Sequence, residues 1–189
     1  RHGRGTMYFN EERTCYYEGE WRDDRRHGNG VMRFAGGNYY RGAWVDNVKR
    51  GRGTMTWRSR GERYVGEWRD DRQNGEGEHI WGLHWSHDGG HSSQEEQDRR
   101  AHQTTHAARK PLLTPGAGRK GTTSLHGGGG APSAPWVGTQ RQMCNRYRGH
   151  WVDGKRHGHG TFLYANGARY VGDWVDGVKH GFGAFVRED

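Results

Sequence analysis

"YEGEWRDDRRHGNG", residues 17–30, sets Tyr17, Gly19 and Trp21 at alternate positions, follows them with aspartate and arginine, and then sets Gly28 and Gly30 at alternate positions. Alternate side chains of a β-strand share a face, so Tyr17, Gly19 and Trp21 point one way while Glu18 and Glu20 point the other. The stretch therefore predicts a half-buried strand, a tight turn and a return strand. After the second glycine the same parity continues in apolar residues, Met32 and then Phe34, which gives the return strand an apolar face as well.

The pattern recurs four times. Tyr40, Gly42 and Trp44 precede Gly51 and Gly53; Tyr64, Gly66 and Trp68 precede Gly75 and Gly77. Tyr147, Gly149 and Trp151 precede Gly158 and Gly160; Tyr170, Gly172 and Trp174 precede Gly181 and Gly183. The tyrosines follow one another at 23 and 24 residues in the first block and at 23 in the second. A fixed period of this length marks a repeat array, in which one unit is too small to bury a core and must share it with its neighbours.

Each turn segment ("RDDRRH", "VDNVKR", "RDDRQN", "VDGKRH", "VDGVKH") carries Asp second and Asp, Asn or Gly third, the chemistry of a β-hairpin. A turn centred on the third and fourth residues would set each tryptophan opposite the first glycine of its own hairpin, with the indole lying over bare backbone. "AGGN" at 35–38 and "ANGA" at 165–168 supply the connections from one hairpin to the next. The expected fold is all-β: an elongated antiparallel meander of stacked hairpins.

Composition agrees with a thin core. Only 30% of the 189 residues are hydrophobic and the mean hydropathy is −1.25, yet tyrosine and tryptophan occur nine times each and glycine 34 times. No apolar run reaches membrane-spanning length and no signal-peptide pattern opens the chain, so an intracellular setting is expected. Cys15 and Cys144 lack C-x-x-C spacing and are expected to be free thiols. The net charge of +8 is diffuse, half of it falling between residues 82 and 146, so nucleic acid is not an expected partner.

Residues 82–146 break the period. "SSQEEQDRRAHQTTHAARK" is polar throughout and "GAGRKGTTSLHGGGGAPSAP" is of low complexity, so the segment is expected to be a largely disordered insertion, with a weak helix at most over 93–109. It separates repeat blocks at 1–81 and 147–189. His84, His87 and His91, and His102 and His106, have ligand-like spacing but no cysteine pair beside them; "GAGRKGT" has the wrong residue order for a phosphate loop. Neither a metal nor a cofactor is expected, and no nucleophile and base can be tied to a rigid scaffold, so catalysis is not expected either.

The repeated tyrosine, tryptophan and glycine positions resemble the MORN (membrane occupation and recognition nexus) repeat. The resemblance implies a non-enzymatic β-hairpin scaffold that binds other proteins. Within the family, "GRGTMTW", "RHGHGTFLYANGARYVGDWV" and the long insertion resemble MORN-rich subunits of the axonemal radial spoke head. That implies spoke head subunits as partners, with a homodimer as a further arrangement, and the cilium or flagellum axoneme, cytoplasm and cytoskeleton as location. MORN arrays also precede lipid-kinase and SET-methyltransferase domains, neither of which is present here.

One more set of residues bears on partners. Arg25, Arg26, Lys49, Arg50, Arg72, Lys155, Arg156 and Lys179 recur just before each Gly-x-Gly and are expected to line one edge. Such a row would suit acidic phospholipid headgroups, which is the alternative function: a peripheral membrane tether. Asp23, Asp24, Asp46, Asp70, Asp71, Asp153 and Asp176 share these turns, and solvated charge pairs across each turn are the competing expectation. The ten tyrosines and tryptophans of the motif are expected in the shared core.

Overall fold

The computed structural model describes residues 1–84 and 144–187. Of the disordered insertion expected over 82–146, residues 85–143 lie outside them, together with the weak helix, the phosphate-loop-like string and histidines 87, 91, 102 and 106; its last residues, Asn145 and Arg146, instead begin a strand, because they pair with Trp81 and Ile80.

The described strands are β1 (Gly3–Tyr8), β2 (Tyr16–Arg22), β3 (Arg25–Arg33), β4 (Tyr39–Val45), β5 (Val48–Trp57), β6 (Glu62–Arg69), β7 (Arg72–Trp81), β8 (Asn145–Val152), β9 (Lys155–Leu163), β10 (Arg169–Val175) and β11 (Val178–Val186). They form one antiparallel sheet in sequence order, a meander of five hairpins preceded by β1. The only other regular element among the described residues is a single 3-10 turn, Arg58–Arg60. Pairing continues across the insertion: β7 meets β8 with Gly77 opposite Gly149 and His79 opposite Tyr147. The two repeat blocks are thus one sheet.

The hairpin turns close one residue earlier than expected. Arg22 pairs with Arg25, which leaves Asp23 and Asp24 as the turn pair with φ of 48° and 60°. Asp46 and Asn47 do the same with φ of 47° and 74°. Positive φ at both central residues is the twist-matched hairpin turn, and Asp, Asn and Gly are the residues that tolerate it.

This earlier closure also corrects the partner of each tryptophan. Between Gly19 and Glu20 the register of β2 on β3 shifts, so Gly28 and Asn29 bulge out of the pairing and Trp21 stands opposite Arg26. Gly28 instead faces Trp44 of the next hairpin. The same holds for Gly51 with Trp68, Gly75 with Trp151, Gly158 with Trp174, and Gly3 of β1 with Trp21. A tryptophan therefore covers the glycine of the preceding hairpin and not its own. Gly28 needs to be glycine because the bulge holds it at φ +59°.

The second glycine answers a different demand. A Cβ on Gly30 would overlap the ring and hydroxyl of Tyr17, and one on Gly53 those of Tyr40. The tyrosine ring lies flat on bare backbone, and its hydroxyl donates to the carbonyl three residues on: Tyr17 to Glu20 at 3.0 Å, Tyr40 to Ala43 at 3.0 Å, Tyr64 to Glu67 at 3.0 Å. Each indole N–H then donates to the second-glycine carbonyl of the hairpin before it: Trp44 to Gly30 at 3.4 Å, Trp68 to Gly53 at 3.1 Å, Trp151 to Gly77 at 3.3 Å. Both polar ends of the buried aromatics are satisfied.

The core is the resulting row of rings. Trp21, Tyr17, Trp44, Tyr40, Trp68, Tyr64, Trp151, Tyr147, Trp174 and Tyr170 meet edge to face in that order, with centroids 5.0–5.6 Å apart, and the insertion does not interrupt it. Met32, Met55, Phe162 and Tyr164 pack against the row as the apolar alternation of the return strands requires. Tyr17, Tyr40, Tyr64 and Tyr147, each roofed by the next tryptophan, are wholly buried, whereas Tyr170 keeps 8% exposure. Burial accordingly depends on the neighbouring unit, as expected for a shared core.

A glycine required by a ring lying on it and one required only by a left-handed backbone can be separated by substitution. Gly53→Ala should destabilise by about 3 kcal/mol, because Tyr40 has nowhere to move. Gly36→Ala, in a connection at φ +83° with open space around it, should cost only about 1 kcal/mol for the left-handed backbone. Equilibrium urea denaturation followed by tryptophan fluorescence measures both.

Candidate functional site

The turn edge carries the charged residues that the sequence singles out, and the register sorts them. Cross-strand partners share a face. Arg26 is opposite Trp21, Lys49 opposite Trp44, Arg156 opposite Trp151 and Lys179 opposite Trp174, so these four lie on the aromatic face. Arg25, Arg72 and Lys155 precede that position by one residue and Arg50 follows it by one, so they lie on the other face, all exposed. The eight cations expected to form one edge thus divide between two faces.

Three of the four aromatic-face cations sit on indoles, and the fourth, Lys179, sits over Tyr170 with its ammonium 4.3 Å from the ring. The Arg26 guanidinium is 4.4 Å from the Trp44 ring, the Lys49 ammonium 4.8 Å from Trp68, and the Arg156 guanidinium 4.4 Å from Trp174, in each case the tryptophan of the following hairpin. Arg1 holds the same place over Trp21 at 4.7 Å. Arg26 Nη2 also donates to the Asn47 carbonyl at 2.9 Å, and Arg156 Nη2 to the Gly177 carbonyl at 2.7 Å. Burial lowers the basicity of Arg26, Lys49 and Arg156, while Asp71 partly offsets this at Lys49. A half-desolvated cation on an indole is worth up to about 2 kcal/mol, so these residues close the core.

Backbone bonds lock the same edge. The N–H of the second turn residue donates to the carbonyl of the preceding hairpin's slot residue: Asp24 to Arg1 at 3.0 Å, Asn47 to Arg26 at 3.0 Å, Asp71 to Lys49 at 3.2 Å, Gly154 to Gln73 at 2.9 Å and Gly177 to Arg156 at 2.9 Å. The ion pairs likewise run between hairpins and not across single turns: Arg22 with Asp46, Lys49 with Asp71, Arg69 with Asp153 and Lys155 with Asp176, at 3.4–3.7 Å. Exposed pairs of this kind contribute little stability each, but they leave the edge close to neutral.

One slot departs from the others. Where Arg26, Lys49 and Arg156 stand, the third hairpin has Gln73, whose Nε2 pairs with His79 Nδ1 at 3.0 Å. His79 takes the place held by Met32 and Met55 in the earlier hairpins and is 7% exposed. It stacks between Trp81, centroids 4.1 Å apart, and Trp57, 5.5 Å apart, with its Nε2 3.3 Å from Glu62 Oε2. Burial, reinforced by the Arg156 guanidinium, pushes the imidazole down to about 4. The sequence motif did not single out Gln73 or His79. The signal lay in the alignment column Arg26, Lys49, Gln73, Arg156 and Lys179, in which only Gln73 is neutral.

Of the other sequence expectations, Cys15 and Cys144 are free and half-buried. His157 and His159 flank Gly158, and His159 Nδ1 meets Asp173 Oδ1 at 3.2 Å. Gly160 leaves room for the Tyr147 ring, and Gly158 faces Trp174, not Trp151 as the expected register required. Tyr17 and Tyr147 hydroxyls are pushed up to about 12 by burial, which fits groups that act as structural donors at neutral pH.

These features define a β-hairpin repeat array in which the core of each unit is completed by the next. The MORN repeat family model matches residues 17–39, 40–62, 64–82, 147–169 and 170–189, more than half of the chain. The chain belongs to the MORN repeat family, whose repeats are non-catalytic modules for protein and membrane interaction.

His79 makes stability pH-dependent in a defined direction. Its folded pKa lies below the unfolded value of 6.5, so the unfolded chain binds more protons between pH 6.5 and about 4, and stability falls as the pH is lowered through that window. The loss should be on the order of 2–3 kcal/mol relative to His79→Met, whose stability should be flatter over the same range. Urea midpoints of both proteins at pH 7 and pH 4.5 provide the check.

Proposed function

We propose that the protein is a non-catalytic scaffold that binds other proteins, and that it serves as a radial spoke head subunit of ciliary and flagellar axonemes. The observation that carries the scaffold reading is the unbroken pairing from β1 to β11, which spaces five repeats at fixed intervals even where the insertion interrupts the chain. An array of this kind presents a repeating surface to proteins that themselves repeat or assemble. The spoke assignment draws on the likeness of "GRGTMTW", "RHGHGTFLYANGARYVGDWV" and the placing of the insertion to radial spoke head protein 10 homologue B.

The fate of the cations weighs for protein partners over acidic phospholipid. Arg26, Lys49 and Arg156 are engaged with indoles and turns, which leaves Arg25, Arg50, Arg72 and Lys155 as the members of the set best exposed to a headgroup, Lys155 being paired with Asp176.

Tagged protein in ciliated cells should localise to axonemes and remain there after detergent extraction. Plasma-membrane signal without axonemal signal would contradict the spoke assignment. In sedimentation with phosphoinositide vesicles, the wild-type protein and a variant with Arg25, Arg50, Arg72 and Lys155 replaced by glutamine should bind equally weakly. Strong, salt-sensitive binding lost in the variant would favour the membrane tether.

A further inference from the structure

On the face opposite the aromatic row, the bulges of the five hairpins are covered differently. Glu20, Glu67 and Asp173 stand one residue before Trp21, Trp68 and Trp174, and each folds over the bulge glycine of its own hairpin, Gly28, Gly75 or Gly181. The residue after that glycine donates its backbone N–H to the carboxylate: Asn29 to Glu20 Oε1 at 3.1 Å, and Phe182 to Asp173 Oδ2 at 3.3 Å. In the fourth hairpin His150 takes the place and lies over Gly158. In the second hairpin the place is held by Ala43, and a Cβ built on Gly51 would meet nothing but the Ala43 methyl among the described residues.

Cations gather around that gap without a counter-charge. Arg41 precedes Ala43 by two residues on β4 and so shares its face, while Arg50 and Arg52 flank Gly51 on β5 and are exposed with it. None of the three arginine side chains forms an ion pair or hydrogen bond among the described residues, and Arg41 Nε is buried without a partner. Arg52, set between two glycines, holds in β5 the place that Asn29 holds in β3 and Phe182 in β11. We propose that the bulge of the second hairpin binds a carboxylate side chain of a partner protein, which accepts the Arg52 backbone N–H and pairs with the guanidinium groups around it.

The chemistry favours this occupant. Three of the five hairpins already hold a carboxylate in this place, so the backbone around the bulge fits one. Backbone N–H groups beside a residue of positive φ, as Gly51 is at +93°, form a concavity suited to an anion. The guanidinium fork matches the two oxygens of a carboxylate, which an ammonium does less well. The acids of the neighbouring strands are engaged elsewhere. Glu67, opposite Arg52 in the register, is turned onto Gly75, and Glu20 is held by the Asn29 N–H and by Arg4 at 3.6 Å. Across β3, Ala43 faces the neutral Asn29.

The proposal rests on the protein-binding scaffold reading and names the partner chemistry of one of its sites. The full chain, labelled for detection of backbone amide signals, is titrated at low ionic strength with a blocked Gly-Asp-Glu-Gly peptide and, in parallel, with its neutral counterpart, blocked Gly-Asn-Gln-Gly. The acidic peptide should shift the Arg52 amide signal saturably, and the neutral peptide should not. Ala43→Glu, which supplies the missing carboxylate from within, should weaken that response by about tenfold while leaving thermal stability equal or higher. Arg41→Gln should also weaken it, whereas Arg169→Gln, which removes an exposed arginine of the fifth hairpin, should leave it unchanged. No saturable shift, a neutral-peptide response as strong as the acidic one, undiminished binding by Ala43→Glu, or an equal loss in Arg169→Gln would overturn the proposal. So would a response to phosphoinositide vesicles in place of one to the acidic peptide. Because the probe is a short peptide, a failed titration leaves the axonemal localisation result intact, and a failed localisation leaves the carboxylate site intact.

Discussion

A tyrosine ring lying flat on a glycine backbone is the contact on which the rest of the sheet depends. Tyr17 on Gly30 and Tyr40 on Gly53 leave no room for a Cβ, so the glycine is set by steric exclusion and the tyrosine by its reach to the carbonyl three residues on. The ring also offers its outer side to the tryptophan of the next hairpin, which sits 5.6 Å from Tyr17 and 5.3 Å from Tyr40. A tyrosine buried on one side by its own hairpin and on the other by the next cannot be completed within one repeat. That single requirement produces a linear array and explains how so thin a core can be stable in a chain that is only 30% hydrophobic.

The same dependence accounts for the tolerance of the insertion. What the array needs between the third and fourth repeats is Trp151 over Tyr64 and its N–H on the Gly77 carbonyl, and both contacts are made across 74 residues of sequence separation in the second case. Loop closure grows only slowly more costly with length, so the pairing of β7 with β8 survives. The junction nevertheless bears a mark: Gln73 replaces a cation and His79 replaces methionine, and the Gln73 amide meets the His79 ring where the other hairpins set a cation on an indole.

The strands, their faces and the core aromatics were legible because a period of two within a period of about 23 leaves few alternatives. The register was not. Taking the ladder as continuous from turn to Gly-x-Gly centred the turns one residue late and paired Trp21 with Gly28, whereas the bulge at Gly28 and Asn29 moves that glycine to Trp44. A bulge changes pairing without changing parity, so alternation along one strand cannot disclose it. Likewise Arg25 and Arg26 look equivalent in sequence, but one residue of β-strand separates a solvated face from an indole slot. The pairing of Gln73 with His79 was visible only as a neutral residue in a column of cations.

The claim that each tryptophan belongs to the core of the preceding hairpin is tested most directly by amide hydrogen exchange on Trp68→Ala. Trp68 contacts Tyr40 behind it and Tyr64 within its own hairpin, and bonds to the Gly53 carbonyl behind it. A shared and directional core predicts that protection falls in β4–β5 together with β6–β7, and less in β8–β9. Loss of protection confined to β6–β7 would show that the hairpins stand by themselves and would contradict it.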